Sequence, residues 1–162
     1  MTTYYQNGNQ SWSSTVLNGC SPLTIGQAGF AITSFAMIAS KYGSTDNPGQ
    51  VNTKLGSYAC SFDHYYAAAM YGLTVSGLTT VKGGIAENKS IMRGTLLLGT
   101  PLMVTLAKPG GGYHCVVVKS YIRYYDGSYR FGIKDPTYIK DNYLDQYMND
   151  NYTIFNIRKY YK

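Results

Sequence analysis

The sequence has no apolar run able to cross a bilayer. Apolar stretches such as Leu96–Leu98 and Val116–Val118 fall far short of the roughly 20 residues a spanning helix needs. Cysteine is scarce. Cys20, Cys60 and Cys115 are an odd number without regular spacing, which describes no disulfide framework. No CxxC pair and no Cys/His pair at zinc spacing is present, so no metal and no cofactor are expected. Low cysteine usage predicts three reduced thiols and a cytoplasmic location. Met1–Gln6 carries neither a basic segment nor an apolar one, so no secretory signal is expected. Acidic residues are few as well: 8 Asp+Glu stand against 14 Lys+Arg, for a net charge of +6. That excess favours anionic partners. No block of five or six basic residues exists, which argues against a nucleic-acid tail. Internal repeats and linkers are also missing.

What is present suits one folded domain over residues 1–162. Apolar residues make up 44% of the chain, enough for a core and too many for disorder. The 18 tyrosines are unusual. Each offers a flat apolar face and a polar tip, a combination favoured both in strands and at recognition surfaces.

Residues 1–24, rich in Asn, Ser, Gly and Thr, read as an irregular arm with turns, among them Asn18-Gly19. Residues 28–42 are apolar on nearly all sides, which predicts a buried helix stopped by Gly43. Asn47-Pro48-Gly49 opens a short helix over 48–55, and 61–71 reads as a third, closed by Gly72. A short strand is predicted at 73–78 and a further helix at 85–98, ended by Gly99. Everything beyond reads as sheet: strands at 102–106, 113–121, 128–134 and 152–158, with Asp126-Gly127 as a hairpin turn. Helices lead and an antiparallel sheet follows, the pattern of an α+β fold.

Three pieces fall in order along this pattern. Gly29-Phe30 begins the buried helix, Gly112-Tyr113-His114-Cys115-Val116-Val117 sits on a strand, and Asp135-Pro136 ends the next one. Trp12 and Gly99-Thr100-Pro101 before a strand fit the same scheme. The arrangement resembles the C39-like peptidases, a bacterial and phage branch of the papain-like fold, over roughly residues 4 to 150. In that family a Gly-Cys pair opens the central helix, a histidine stands on a strand and an aspartate ends the next. A helix N-terminus and a neighbouring imidazolium favour the thiolate, and the carboxylate orients the histidine. The resemblance assigns the remnant catalytic roles to His114 and Asp135.

At the nucleophile position this chain has Phe30, which carries no nucleophilic atom and no titratable proton. No acyl-enzyme can form by that route. The family's oxyanion glutamine would fall at Thr24, whereas Gln27 lies three residues before Phe30. Thr33 and Ser34, one turn deeper, read as satisfied core hydroxyls, and His64 as a solvated helix residue. The resemblance, with the substitution, implies an inactive domain that holds a ligand in the former cleft through Gln27, Phe30, Gly111, Tyr113 and His114. Charge and tyrosines favour an anionic small molecule or peptide, a nucleotide-type signal above others, as would suit a bacterial or phage protein that sequesters one. Two alternatives stand beside this: a peptidase working through a displaced thiol, Cys20 or Cys115, and a protein-interaction or inhibitor module.

Overall fold

The structure, a computed structural model, describes residues 1–80, 82–137 and 143–162. Its elements run α1 (Ile25–Ala28), α2 (Phe30–Lys41), α3 (Pro48–Leu55), a 3-10 turn (Gly56–Tyr58), α4 (His64–Met70), β1 (Thr74–Leu78), α5 (Ile85–Leu97), β2 (Leu102–Ala107), β3 (Tyr113–Arg123), β4 (Tyr129–Lys134), α6 (Leu144–Asn149) and β5 (Thr153–Tyr161). This is an α+β chain with its helices mostly N-terminal and a five-stranded antiparallel sheet mostly C-terminal. The sheet order is β1-β5-β2-β3-β4. Backbone contacts divide the chain into two compact units.

The first unit comprises Met1–Val75 with Pro136, Thr137 and the last two residues. Helices α3 and α4 begin where side chains can satisfy orphan amides. Asn47 accepts from Gln50 N at 3.0 Å ahead of Pro48, and Asp63 accepts from Tyr65 and Tyr66 at 3.0 and 2.9 Å. The Asp63 cap explains why α4 starts at His64 and not at the expected Ser61. Ser61 and Phe62 lie before the cap, and the His64 ring rests edge-on against Phe62 at 4.8 Å. Along α2, Ile32 to Ala39 are all buried, as expected of a helix apolar on every side. Phe35 meets Phe62 at 5.6 Å and Tyr71 at 5.2 Å. Ser34 is buried as expected, but the Thr33 hydroxyl, also buried, has no hydrogen-bond partner among the described residues, contrary to the expected satisfied core hydroxyl.

The N-terminal arm is irregular yet tied down. Asn52 on α3 accepts from Asn18 N at 2.9 Å and donates to Val16 O at 3.0 Å, while Asn18 donates to Asn52 O at 3.0 Å. A disulfide joins Cys20 to Cys60, with Cα atoms 5.5 Å apart. This corrects the expectation of three reduced thiols. Sequence spacing carries no information on a bond that spans 40 residues; only folding of the arm onto the segment after α3 brings the two together. The correction also removes the ground on which a reducing compartment was inferred, since disulfides persist mainly in oxidising ones.

The second unit covers Ser76–Asp135 and the chain from Tyr143 to Tyr160 among the described residues. Val104 faces Val116, and Leu102 faces Val118, across the β2–β3 ladder. Alternate residues Phe131 and Ile133 on β4, and Ile154 and Ile157 on either side of a register shift in β5, join one core with Met92 of α5 and Leu144 and Tyr147 of α6. The β3–β4 hairpin closes as its Asp-Gly turn predicts. Gly127 has φ +83, and Tyr124 N donates to Ser128 O at 2.9 Å. The C-terminal region is not all strand, however. Helix α6 interrupts it, its apolar residues Leu144, Tyr147 and Met148 spaced to fill the sheet's core side.

Candidate functional site

His114 is the second residue of β3 and pairs with Leu106 of β2. Asp135 follows β4, whose last residue Lys134 pairs with Val117 of β3. The two ladders therefore place the pair at neighbouring strand positions, and His114 Nε2 stands 3.0 Å from Asp135 Oδ1. Both residues are buried, at 6% and 5% exposure. A carboxylate can only accept here, so Nε2 carries the proton of this hydrogen bond. The second carboxylate oxygen, Oδ2, accepts from the hydroxyl of Tyr147 on α6. The Tyr147 ring also lies 5.5 Å from the imidazole. A tyrosine hydroxyl and an imidazole thus share one buried carboxylate, which fixes the tautomer and orientation of His114.

The expected His114–Asp135 pairing is present, and Tyr147 is its unanticipated third member. The signal for it was available. Leu144, Tyr147 and Met148 are spaced i, i+3, i+4, the mark of a helix that turns one face inward.

The glycine loop and Tyr113 belong to the same unit as the pair. Gly110, Gly111 and Gly112 have φ of +83, +112 and +87, a left-handed run that only glycine tolerates readily. Gly111 N donates to Lys108 O at 3.1 Å and Lys108 N to Gly112 O at 2.9 Å, so the loop is a closed turn with its Gly111 amide already engaged. Tyr113 is half exposed, and its ring packs on Phe155 of β5 at 4.9 Å.

Phe30 and Gln27 lie in the first unit. Thr24 caps α1, and Gln27 closes the cap by accepting from Thr24 N at 3.0 Å. That bond occupies the Gln27 carbonyl in local structure. Gly29 separates α1 from α2, and a Cβ there would stand 2.6 Å from both Ile25 Cγ2 and Ile25 O. A side chain at 29 would push the two helices apart. Phe30 follows as the half-buried first residue of α2.

The sulfurs are in unreactive states. Cys20 and Cys60 are bonded to each other. Burial pushes the Cys115 thiol up to about 11, against a weaker opposing effect of Thr105, whose Oγ1 is 3.4 Å from the sulfur. At neutral pH Cys115 is therefore a protonated core thiol.

A second polar group lies in the first unit. Asp46 Oδ2 accepts from Lys54 Nζ at 2.7 Å and from Tyr71 OH at 2.8 Å. The Lys54 hydrogen bond, more than the Tyr71 one, holds the Asp46 carboxyl below its ordinary range. Burial, and then the hydrogen bond to Asp46, pushes the Tyr71 phenol up. The group ties the loop before α3 to α3 and to the end of α4, and borders a cavity of about 500 Å³ lined in part by Trp12, Asn47 and Gln50.

Among the described residues, no cluster of three or more His, Cys, Asp or Glu side chains could hold a metal ion, and no helix is long and apolar enough to cross a membrane. No family model matches the chain, and a search of curated proteins finds no match.

Proposed function

We propose that the chain is a papain-like domain of the C39-like type that binds an anionic ligand and does not cleave one. The observation that carries this reading is Phe30 at the opening of α2, directly behind Gly29, in a chain that retains the His114–Asp135 pair. The reading takes His114, held by Asp135 and Tyr147, as a ligand contact in place of a general base. The state of the sulfurs supports it, because a peptidase acting through a displaced thiol needs an accessible thiolate. The charge of +6 supports an anion as the ligand.

Two assays test it together. Peptide substrates should be hydrolysed at the background rate, with or without a thiol-alkylating reagent. Calorimetric titration with nucleotides and with acidic peptides should find a ligand whose affinity falls on Phe30→Ala. Loss of an aromatic contact of about 0.5–1.5 kcal/mol corresponds to roughly 2- to 13-fold. Turnover abolished by the alkylating reagent would replace this reading with the displaced-thiol peptidase. Binding indifferent to both Phe30→Ala and His114→Ala would place the functional surface elsewhere.

A further inference from the structure

Helix α5 and the tip of the β3–β4 hairpin enclose a cavity of about 380 Å³ within the second unit, away from the residues assigned above. Its lining is Lys89, Ser90, Arg93 and Gly94 from α5, Tyr121 and Arg123 from β3, and Gly127 from the turn. Lys89 and Arg93 are four apart on α5, so they project from one helix face. Arg123 closes the opposite wall. Each cation is placed by an aromatic ring or by the hairpin. Lys89 Nζ stands 3.9 Å from the Tyr129 ring centre, and the Arg93 guanidinium 5.5 Å from that of Tyr121. The two tyrosines lie side by side at 5.8 Å, one on each strand of the hairpin.

None of Lys89, Arg93 and Arg123 has a carboxylate within ion-pair distance among the described residues. Of the nearby acids, Asp126 and Glu87 accept from backbone amides, while Asp145 lies close enough to the Tyr129 phenol to act on it electrostatically. Asp126 Oδ1 accepts from Ser128 N and Ser128 Oγ at 2.9 and 2.6 Å, and Glu87 Oε2 accepts from Gly84 N at 3.0 Å. Three cations thus line one cavity, Lys89 and Arg93 set over rings, and none is within ion-pair distance of a carboxylate among the described residues. Like charges so gathered repel, and an anion with more than one negative charge relieves the repulsion while accepting several donors at once. Guanidinium groups match phosphate oxygens in geometry, and Ser90 adds a hydroxyl. The volume exceeds what a phosphate group fills and lies at the small end of the range for organic ligands, about 300–1,000 Å³.

We propose that this cavity is a binding site for a phosphate ester with two or more negative charges, of the nucleoside-diphosphate class, held by Lys89, Arg93 and Arg123 beside Tyr121. The site goes beyond the proposed function and does not depend on Phe30 or His114.

Titration calorimetry of the full chain with adenosine diphosphate, pyrophosphate and adenosine tests it. Adenosine diphosphate should bind more tightly than pyrophosphate, and adenosine should bind far more weakly than either. Arg93→Ala and Arg123→Ala, both at exposed positions, should each weaken diphosphate binding by about tenfold or more, with Arg93→Lys losing less. Raising the salt concentration should weaken binding in the native chain more than in the double variant. Phe30→Ala should leave it unchanged, which separates failure here from failure of the earlier reading. A thermal melt confirms that each variant is folded. No binding of either phosphate at millimolar concentration overturns the proposal, as does binding that survives the double arginine variant. So does binding confined to oligonucleotides, which would make this face a nucleic-acid surface.

Discussion

Breaking the Cys20–Cys60 bond lowers the stability of the native chain by about 4 kcal/mol. The estimate follows from the loop it closes: for a separation of 40 residues, the entropy removed from the unfolded chain amounts to about 4 kcal/mol at room temperature. The bond acts where the fold has little else of regular structure. It fastens the irregular arm to the segment after α3, beside the backbone hydrogen bond from Cys60 N to Asn18 O at 3.1 Å. Gly19, at φ +89, passes so close that a Cβ would stand 2.8 Å from Ser57 O. The arm therefore approaches backbone to backbone, and the Asn18–Asn52 hydrogen bonds depend on that approach. Urea unfolding with and without reductant measures the effect, and a Cys20→Ser, Cys60→Ser double variant should match the reduced chain. Equal midpoints in both conditions would show that the bond does not constrain the unfolded chain.

His114→Ala should cost about 3 kcal/mol or more, because it removes a donor from a carboxylate that is buried. Desolvating Asp135 is tolerable while two side chains donate to it, and one of those donors is the histidine. Tyr147→Phe removes the other and should cost about 1.5–3 kcal/mol, the range for a hydrogen bond to a charged group. The ring of Tyr147 remains in that variant, so its contacts with Tyr152 and the imidazole persist and the hydroxyl alone is measured. The double variant should differ from the sum of the singles by more than about 0.5 kcal/mol, since both act on one carboxylate. Denaturant titration reads all three. Additive losses below about 1 kcal/mol each would mean that Asp135 is hydrated or otherwise satisfied.

The elements legible in the sequence are those whose ends are written locally. Asn47-Pro48 starts α3 through a cap and a preset φ, and Asp126-Gly127 turns the hairpin with the one residue type that accepts φ +83 cheaply. The continuous apolar runs of β2 and β3 also stand out, because β2 and the first half of β3 are buried. What escaped depends on tertiary contact. Helix α6 has only six residues, so the i, i+3, i+4 spacing of Leu144, Tyr147 and Met148 is a weak signal beside a strand reading, and the helix is held by packing of Leu144 and Tyr147 on the sheet. The disulfide depends on where the arm folds. Of the residues assigned to the site, His114 and Asp135 meet because each sits at a fixed register of adjoining ladders. Gln27 was legible as a polar residue near a helix start, but its local capping role was not separated from a ligand role. Tyr147 joins the pair through α6, so overlooking the helix meant overlooking the tyrosine.

The claim that Phe30 occupies a former nucleophile position is most directly tested by Phe30→Cys. A thiol placed there should ionise below the ordinary value of about 8.5, because the proposed papain-like reading gives it the α2 N-terminus and His114 as partners. The measurement is the pH dependence of its alkylation rate, compared between Phe30→Cys and the Phe30→Cys, His114→Ala double variant. The bonded and buried native sulfurs give a low background. The thiol pKa should be depressed in Phe30→Cys and should return toward about 8.5 when His114 is removed. A thiol that titrates at or above its ordinary value, with the same profile in both variants, would contradict the claim.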